Sequence, residues 1–244
     1  MTGSLLLVAH GSRDPRHART VRALARRIRA TRPALRVATA FLGFDAPGVP
    51  EELARTARDG IRAVVVQPLL LTRAFHAKTD LPGVLRQAPP GLTVLRAPVL
   101  GPDPLLTAAL ERRLYGAGLV RGERASTAVV LAAAGSGDPE AAEGLAALAR
   151  HWQRTAGWYA VRPAAASAGP RTEDVVRALR AEGARRVAVA PYVLAPGRLP
   201  DRIAAGARAA GADVLAPVLG AAPELVRLVL RRYDRAARVP VPTG

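Results

Sequence analysis

Near its start the chain carries the stretch Leu5-Leu6-Leu7-Val8-Ala9-His10-Gly11-Ser12-Arg13-Asp14-Pro15, and the rest of the fold is predicted outward from it. Its five apolar residues follow one another without polar alternation, as in a strand that is buried on both faces. Asp14 and Pro15 are typical of the N-cap and the first position of a helix. His10 is therefore predicted at the carboxyl end of a strand, the edge at which open α/β sheets bind ligands.

The first half of the chain alternates strand and helix patterns. After Pro15, apolar residues recur at helical spacing, and Pro33 ends the helix. This alternation predicts a parallel sheet that is covered by helices. Further strands are predicted over 35–42, 61–71 and 92–97, and further helices from Pro50 to Gly60 and from Pro104 to about Tyr115.

The second half repeats this plan. The segment Ala134-Gly135-Ser136-Gly137-Asp138-Pro139 matches the residues from His10 to Pro15. Two later motifs recur in the same order, Ala63–Leu71 as Arg186–Leu194 and Ala97–Gly101 as Ala216–Gly220. Three motifs in one order indicate an internal duplication. The predicted fold class is α/β, with two duplicated domains that each hold a parallel sheet with helices on both faces.

The boundary between the two domains is predicted in the glycine-rich, charged segment 116–124. The domains would then span residues 1–118 and 123–244, with a cleft between the carboxyl edges of their sheets. We expect a monomer, because one chain supplies both halves.

Two histidines follow predicted strands in the first half. His10 follows the first strand and His76 the third, and the second half has neither histidine at the matching positions. First and third strands are commonly close in doubly wound sheets, so both side chains could face one cleft. Without cysteine they cannot complete a tetrahedral structural zinc site, but they can hold a divalent ion transiently or accept protons near neutral pH. His17 and His151 are predicted to lie on the surface.

Composition narrows the possible functions. The chain has 244 residues, no cysteine and a formal net charge of +17. The absence of cysteine excludes disulfides, thiolate metal sites and a cysteine nucleophile. Lys78 is the single lysine among 36 basic residues, so the charge reflects arginine-rich composition, and its positive field would attract a polyanionic substrate. No apolar run approaches the ~20 residues of a membrane helix, and no signal-peptide pattern is present. We expect a soluble, cytoplasmic protein.

Two motifs resemble those of a known family. Ala9-His10-Gly11-Ser12 is similar to the first motif of the class II chelatases, specifically the sirohydrochlorin chelatases of the cobalt and iron branches. Gln67-Pro68-Leu69-Leu70-Leu71 is similar to the second motif, together with the His76, Asp80, Leu81 and Pro82 that follow it. The resemblance spans the whole duplicated chain.

This resemblance implies two chelatase-like domains that hold sirohydrochlorin, a tetrapyrrole with eight carboxylates, between them. The enzyme would be a lyase that inserts Fe²⁺ or Co²⁺ for sirohaem or cobalamin biosynthesis. The metal would be a substrate, with no permanently bound cofactor. By the same resemblance, His10 and His76 bind the incoming ion and help to remove pyrrole protons.

The chain departs from the family pattern near the end of the second strand. The family often carries a glutamate there, where this chain has Gly43. Asp45 lies two residues further along, and therefore on the same face of the strand, and is the candidate replacement as a metal ligand. Candidate substrate-binding residues near the predicted cleft are Ser12, Arg13, Arg73 and Lys78.

Two other function classes are compatible with parts of the sequence. A histidine-glycine pair after a first strand also marks phosphoryl-transfer enzymes of the histidine phosphatase type. Those have an arginine directly before the histidine, where this chain has Ala9. Nucleic-acid binding is favoured only by the charge, since aromatic stacking platforms and a recognised binding motif are absent. Of the three function classes, metal insertion into an acidic tetrapyrrole is therefore the one that the sequence favours.

Overall fold

The computed structural model describes residues 3–72 and 80–238. Strands and helices alternate throughout, as predicted. In chain order the elements are β1 (Ser4–Ala9), α1 (Pro15–Thr31), β2 (Arg36–Phe41), α2 (Val49–Arg58), β3 (Ala63–Pro68), α3 (Leu81–Leu85), β4 (Thr93–Arg96), α4 (Pro104–Gly116), β5 (Thr127–Ala133), α5 (Pro139–Ala156), β6 (Ala160–Ala165), α6 (Thr172–Ala181), β7 (Arg186–Tyr192), α7 (Arg198–Ala209), β8 (Val214–Leu215) and α8 (Pro223–Ala237), with a 3₁₀ helix at Arg121–Ser126 before β5.

Two parallel four-stranded sheets form, in the orders β2-β1-β3-β4 and β6-β5-β7-β8. The identical order confirms the duplication and the α/β fold class. β1 lies between β2 and β3, so the strand order reverses beside it, and the carboxyl end of β1 is a topological switch point. Every residue of β1 is buried, in agreement with its uninterrupted apolar sequence.

The first helix follows the pattern predicted for it. The Asp14 side chain accepts a hydrogen bond from the Arg16 N–H, and Pro15 occupies the first turn. The helix ends at Thr31, two residues before Pro33. Its buried residues are Ala18, Val21, Leu24, Ala25 and Ile28. α5 of the second repeat begins in the same way, with an N-cap at Asp138 that accepts from Glu140 N–H.

The division into compact units differs from the predicted one. One unit comprises Met1–Gly101 and Ala221–Gly244, and the other comprises Pro102–Gly220. The predicted domains, 1–118 and 123–244, follow the sequence repeat and stay a prediction, whereas the compact units differ from the repeats because each repeat's last helix packs with the other repeat. α4 follows the first sheet in sequence but packs on β7, and α8 follows the second sheet but packs on α1, β3 and β4.

Specific contacts fix each exchanged helix. On α8, Asp234 accepts two hydrogen bonds from the Arg32 guanidinium on the α1 C-terminus, at 2.5 and 2.9 Å. On α4, Glu111 accepts from Trp152 Nε1 of α5 at 2.9 Å and from Arg124 Nη2 at 2.5 Å. Paired donors and acceptors of this kind specify the orientation of a helix as well as its burial. Each unit is therefore completed by a helix from the other repeat.

Candidate metal and substrate site

The site of the first unit is built where the turn after β1 meets the loop after β2. Leu42 N–H donates to Ala9 O and Gly43 N–H donates to His10 O, both at 3.0 Å. Gly11 has a φ of 91°, and a Cβ at this position would overlap the carbonyl oxygen of Gly43. Only glycine allows this approach without strain, so Gly11 lets the two segments come close enough to form these hydrogen bonds.

His10 follows directly after β1, as predicted, and its side chain is partly buried. Its Nδ1 lies 3.1 Å from the Gly11 carbonyl oxygen. Because a carbonyl can only accept a hydrogen bond, this contact favours the tautomer with the hydrogen on Nδ1. A neutral imidazole of that tautomer carries its lone pair on Nε2, which can accept a proton or coordinate a metal ion.

Asp45 lies in the loop after β2 rather than on a continuing strand. β2 ends at Phe41, and Phe44 has a positive φ of 65°, so alternation of faces along a strand does not place Asp45. The carboxylate is held instead by Ser12, whose N–H donates to Asp45 Oδ2 at 2.9 Å. The Ser12 hydroxyl accepts from Asp14 N–H at 3.1 Å. The Ser12 amide thus already has an acceptor within the protein, and its substrate contact stays a prediction.

His17 belongs to this region, although the sequence predicted a surface position for it. Its side chain is only 16% exposed, and its Nδ1 lies 4.0 Å from Asp45 Oδ2. The same nitrogen is buried and has no hydrogen-bond partner among the described residues. Burial lowers the pKa of His17 below its usual 6.5, with Asp45 acting in the opposite direction and His10 in the same one. His151, by contrast, is exposed as predicted.

One signal for His17 was present in the sequence. His17 lies one position before Ala18, the first buried residue of α1, and in the same helical turn as the Asp14 cap. A residue in the first turn of a helix points towards the preceding loop, which here carries His10. The repeat strengthens that signal, because Ala141 occupies the matching position of α5 and is buried.

Of the remaining predicted site residues, only Arg13 lies in the part of the chain that the structure describes. Arg13 is exposed, and its guanidinium carbon lies 5.6 Å from the centroid of the Phe44 ring. Arg73, His76 and Lys78 lie outside the described residues, so their placement beside His10 stays a prediction. Within 3–72 and 80–238, no group of three or more histidine, aspartate or glutamate side chains is arranged to hold a metal ion.

Gln67, from the second motif, has a structural role in this unit. It is fully buried in β3, and its Nε2 donates to Pro68 O at 2.8 Å and to Pro98 O at 3.0 Å. These bonds tie the carboxyl end of β3 to the segment after β4. β3 is hydrogen-bonded to β1, as expected for the first and third strands. In the chain, His76 therefore follows β3, the strand next to the one that His10 follows.

Solved structures support the fold. The structure described as SirB from Bacillus subtilis with Fe3+ superposes with a TM-score of 0.84 at 24% identity, over 98% of this chain and 96% of that one.

In the described part of this chain, no helix is both long and apolar enough to cross a membrane.

Sequence relatives agree with the resemblance seen in the motifs. The sirohydrochlorin cobaltochelatase of Priestia megaterium is 27% identical over 205 residues, which cover 82% of this chain and 67% of that protein. The sirohydrochlorin ferrochelatase of Bacillus subtilis is 26% identical over 207 residues, which cover 83% of this chain and 78% of the relative. The model of the CbiX family matches residues 4–117 and again residues 128–236. Since these two matches include most of both repeats, the chain belongs to the CbiX family.

Proposed function

We propose that this protein is a sirohydrochlorin chelatase, a lyase that inserts Fe²⁺ or Co²⁺ into sirohydrochlorin for sirohaem or cobalamin biosynthesis. The observation that supports this most is the position of His10 at the switch point of the first sheet, beside His17 and Asp45. The curated relatives are a cobaltochelatase and a ferrochelatase of the same substrate, which leaves both metals in the proposal.

His10 and His76 are the proposed catalytic and metal-binding residues. Insertion of a divalent ion into a free-base macrocycle requires the loss of two pyrrole protons where the metal is delivered. Neutral imidazoles suit both tasks, because one nitrogen lone pair can bind the ion or accept a proton. In His10 the Gly11 carbonyl favours that lone pair on Nε2. The metal is a substrate in this scheme, and no permanently bound cofactor takes part.

Asp45 is the proposed third metal ligand, in place of the family glutamate. Its Oδ2 is held by the Ser12 amide, so the carboxylate is oriented before a metal arrives. A Cβ at Gly43 would meet no atom of the described residues within 4 Å, so packing within that part of the chain does not require glycine there.

Cationic side chains are the proposed partners of the substrate carboxylates. Arg13, Arg73 and Lys78 are the candidates, with Ser12 as a further polar contact, and the net charge of +17 would attract a polyanion. Family membership favours this function over phosphoryl transfer and nucleic-acid binding. Ala9 also argues against phosphoryl transfer, because it is buried in β1 where the phosphatases have an arginine.

An absorbance assay tests this proposal. Sirohydrochlorin is mixed under anaerobic conditions with Co²⁺ or Fe²⁺, with and without the purified full chain, and the loss of the free-base spectrum is followed. We expect insertion of at least one ion to be much faster with protein than without it. The ratio of kcat/KM for the two ions then identifies the preferred metal. Equal rates with and without protein for both ions would contradict the proposal.

A further inference from the structure

Phe44 combines two unusual properties in the loop after β2. In the described part of the chain it is the one non-glycine residue with a positive φ, at 65°. It is also the most exposed of the large apolar side chains described, at 64%. A phenylalanine gains no stability from either property, because the left-handed conformation is strained for residues with a Cβ and exposure forgoes burial of the ring.

The second repeat makes the corresponding connection, which is one residue shorter, with a glycine at its positive φ. Its loop between Ser167 and Pro170 contains Ala168 and Gly169, and Gly169 takes the positive φ, at 120°. In both repeats a backbone hydrogen bond closes this loop. It runs from Phe41 N–H to Pro47 O in the first repeat and from Ala165 N–H to Pro170 O in the second. The fold therefore accepts a glycine in this loop and does not require an aromatic ring.

The ring of Phe44 lies against two residues of the candidate site. Its centroid is 6.1 Å from that of the His10 imidazole, and the two planes are inclined by 30°, a stacked arrangement. The guanidinium carbon of Arg13 lies 5.6 Å from the same ring centroid. The loop thus holds an exposed aromatic surface next to both the proposed metal-binding imidazole and a cation.

We propose that Phe44 is the surface on which the conjugated ring of the tetrapyrrole stacks, beside His10, while Arg13 binds one of its carboxylates. This inference rests on the function proposed above and assigns a substrate-positioning residue to it. A conjugated macrocycle has a broad apolar face and carboxylates at its rim. The pair of Phe44 and Arg13 offers the two matching contacts, an aromatic face and a bidentate cation. The left-handed backbone at Phe44 holds the ring at the surface, where it remains exposed to the substrate.

The test compares Phe44→Gly, Phe44→Leu and Phe44→Trp. Binding of metal-free sirohydrochlorin is titrated by absorbance, and KM and kcat are measured with saturating Co²⁺. We expect Phe44→Gly and Phe44→Leu to raise Kd and KM for the tetrapyrrole about three- to tenfold, the amount that aromatic stacking contributes, with a smaller change in kcat. Phe44→Trp should keep wild-type affinity. Because glycine relieves the positive φ, the Tm of Phe44→Gly should not fall.

Tyr159→Ala is the matched control. Tyr159 is the other large exposed aromatic residue in the described part of the chain, at 43%, and it lies in the second repeat. Its removal should leave KM unchanged. An unchanged Kd and KM in Phe44→Gly, with an active wild-type protein, would overturn the stacking inference alone. A drop in the Tm of both Phe44→Gly and Phe44→Leu would also overturn it, since the ring would then serve packing. A wild-type protein that neither binds nor metallates sirohydrochlorin would instead overturn the proposed function.

Discussion

The two repeats share the backbone at the carboxyl edge of their first strands but differ in the side chains there. Gly43 N–H donates to His10 O in the first repeat, and Ser167 N–H donates to Ala134 O in the second. Gly11 and Gly135 have φ values of 91° and 90°. This backbone correspondence matches position 10 with 134.

The differences are concentrated in the polar side chains. His10 and His17 of the first repeat are matched by Ala134 and Ala141 in the second, and the second loop has one residue fewer than the loop that carries Asp45. Ser12 and Asp14 are matched by Ser136 and Asp138, which make the same turn and cap hydrogen bonds. The serine and aspartate that form the turn and the helix cap are therefore present in both repeats, whereas the two histidines are present only in the first. The second repeat makes the same turn without these imidazoles, so the turn itself does not require His10 or His17.

The largest effect is expected from His10→Ala. Loss of the proposed metal-binding and proton-accepting imidazole should lower kcat/KM for metal insertion by ~10²-fold or more, without a loss of folding stability, because the second repeat already folds with alanine here. Steady-state insertion of Co²⁺ and thermal unfolding measure the two quantities.

The matched control is Ala134→Ser, which changes the equivalent position of the second repeat. Its kcat/KM should stay within about twofold of wild type, since serine adds a single hydroxyl at this half-buried position, where we propose no metal-binding side chain. Similar losses in the two variants would show that the repeats are functionally equivalent, and full activity of His10→Ala at limiting metal would remove His10 from the mechanism.

A smaller effect is expected from His17→Ala, which copies Ala141 of the second repeat. His17 lies 4.0 Å from Asp45 Oδ2, so its loss should weaken the orientation of that carboxylate. Residues that support metal ligands typically contribute 10- to 100-fold, and we expect a loss of roughly tenfold in kcat/KM. The apparent KM for Co²⁺ should account for most of it. A KM change for the tetrapyrrole alone would place His17 elsewhere in the reaction.

Ionic strength should separate substrate capture from chemistry. If Arg13, Arg73 and Lys78 bind the carboxylates of the tetrapyrrole, added salt should raise its KM by several-fold, while kcat changes less, because exposed charge pairs are screened. Insertion is measured against salt with both substrates saturating and again with the tetrapyrrole limiting. An equal salt effect in the two regimes would contradict electrostatic capture of the substrate but would not contradict the proposed role of the histidines.

The smallest effect concerns the exchanged helix of the first unit. Asp234→Asn removes one charge of the half-exposed pair with Arg32 and should lower the free energy of unfolding by about 0.5–1 kcal/mol at pH 7. The pairing lowers the pKa of Asp234 below 3.8, so its stabilisation is present above pH 3.8 and is lost as the pH falls through the lowered value. Urea unfolding at several pH values should therefore show the difference between the variant and wild type shrinking below about pH 3.8.

Asp174→Asn serves as the control, since Asp174 forms an exposed pair with Arg177 within α6 and should contribute less. If the two variants were equally stable at pH 7, the Arg32–Asp234 pair would contribute nothing specific to the attachment of α8.

Local patterns were sufficient to predict most of the elements and the place of His10 in the fold. The start of α1 at Pro15, its five buried residues and the position of His10 after β1 all follow from interactions between residues a few positions apart. Caps, helical spacing and the fixed dihedral angle of proline act over that range. The duplication was equally visible, because it is a property of the sequence itself, and it showed that the second repeat has no counterpart of His10 or His76.

The three-dimensional packing decided the rest. Which sheet α4 covers depends on partners such as Trp152 for Glu111, and which sheet α8 covers depends on partners such as Arg32 for Asp234. The members of each pair are far apart in sequence. The burial of His17 and the hydrogen bond from Ser12 to Asp45 likewise depend on how the turn after β1 meets the loop after β2. Such contacts join segments that no short sequence pattern relates, because their energy depends on complementary surfaces that meet only in the folded chain.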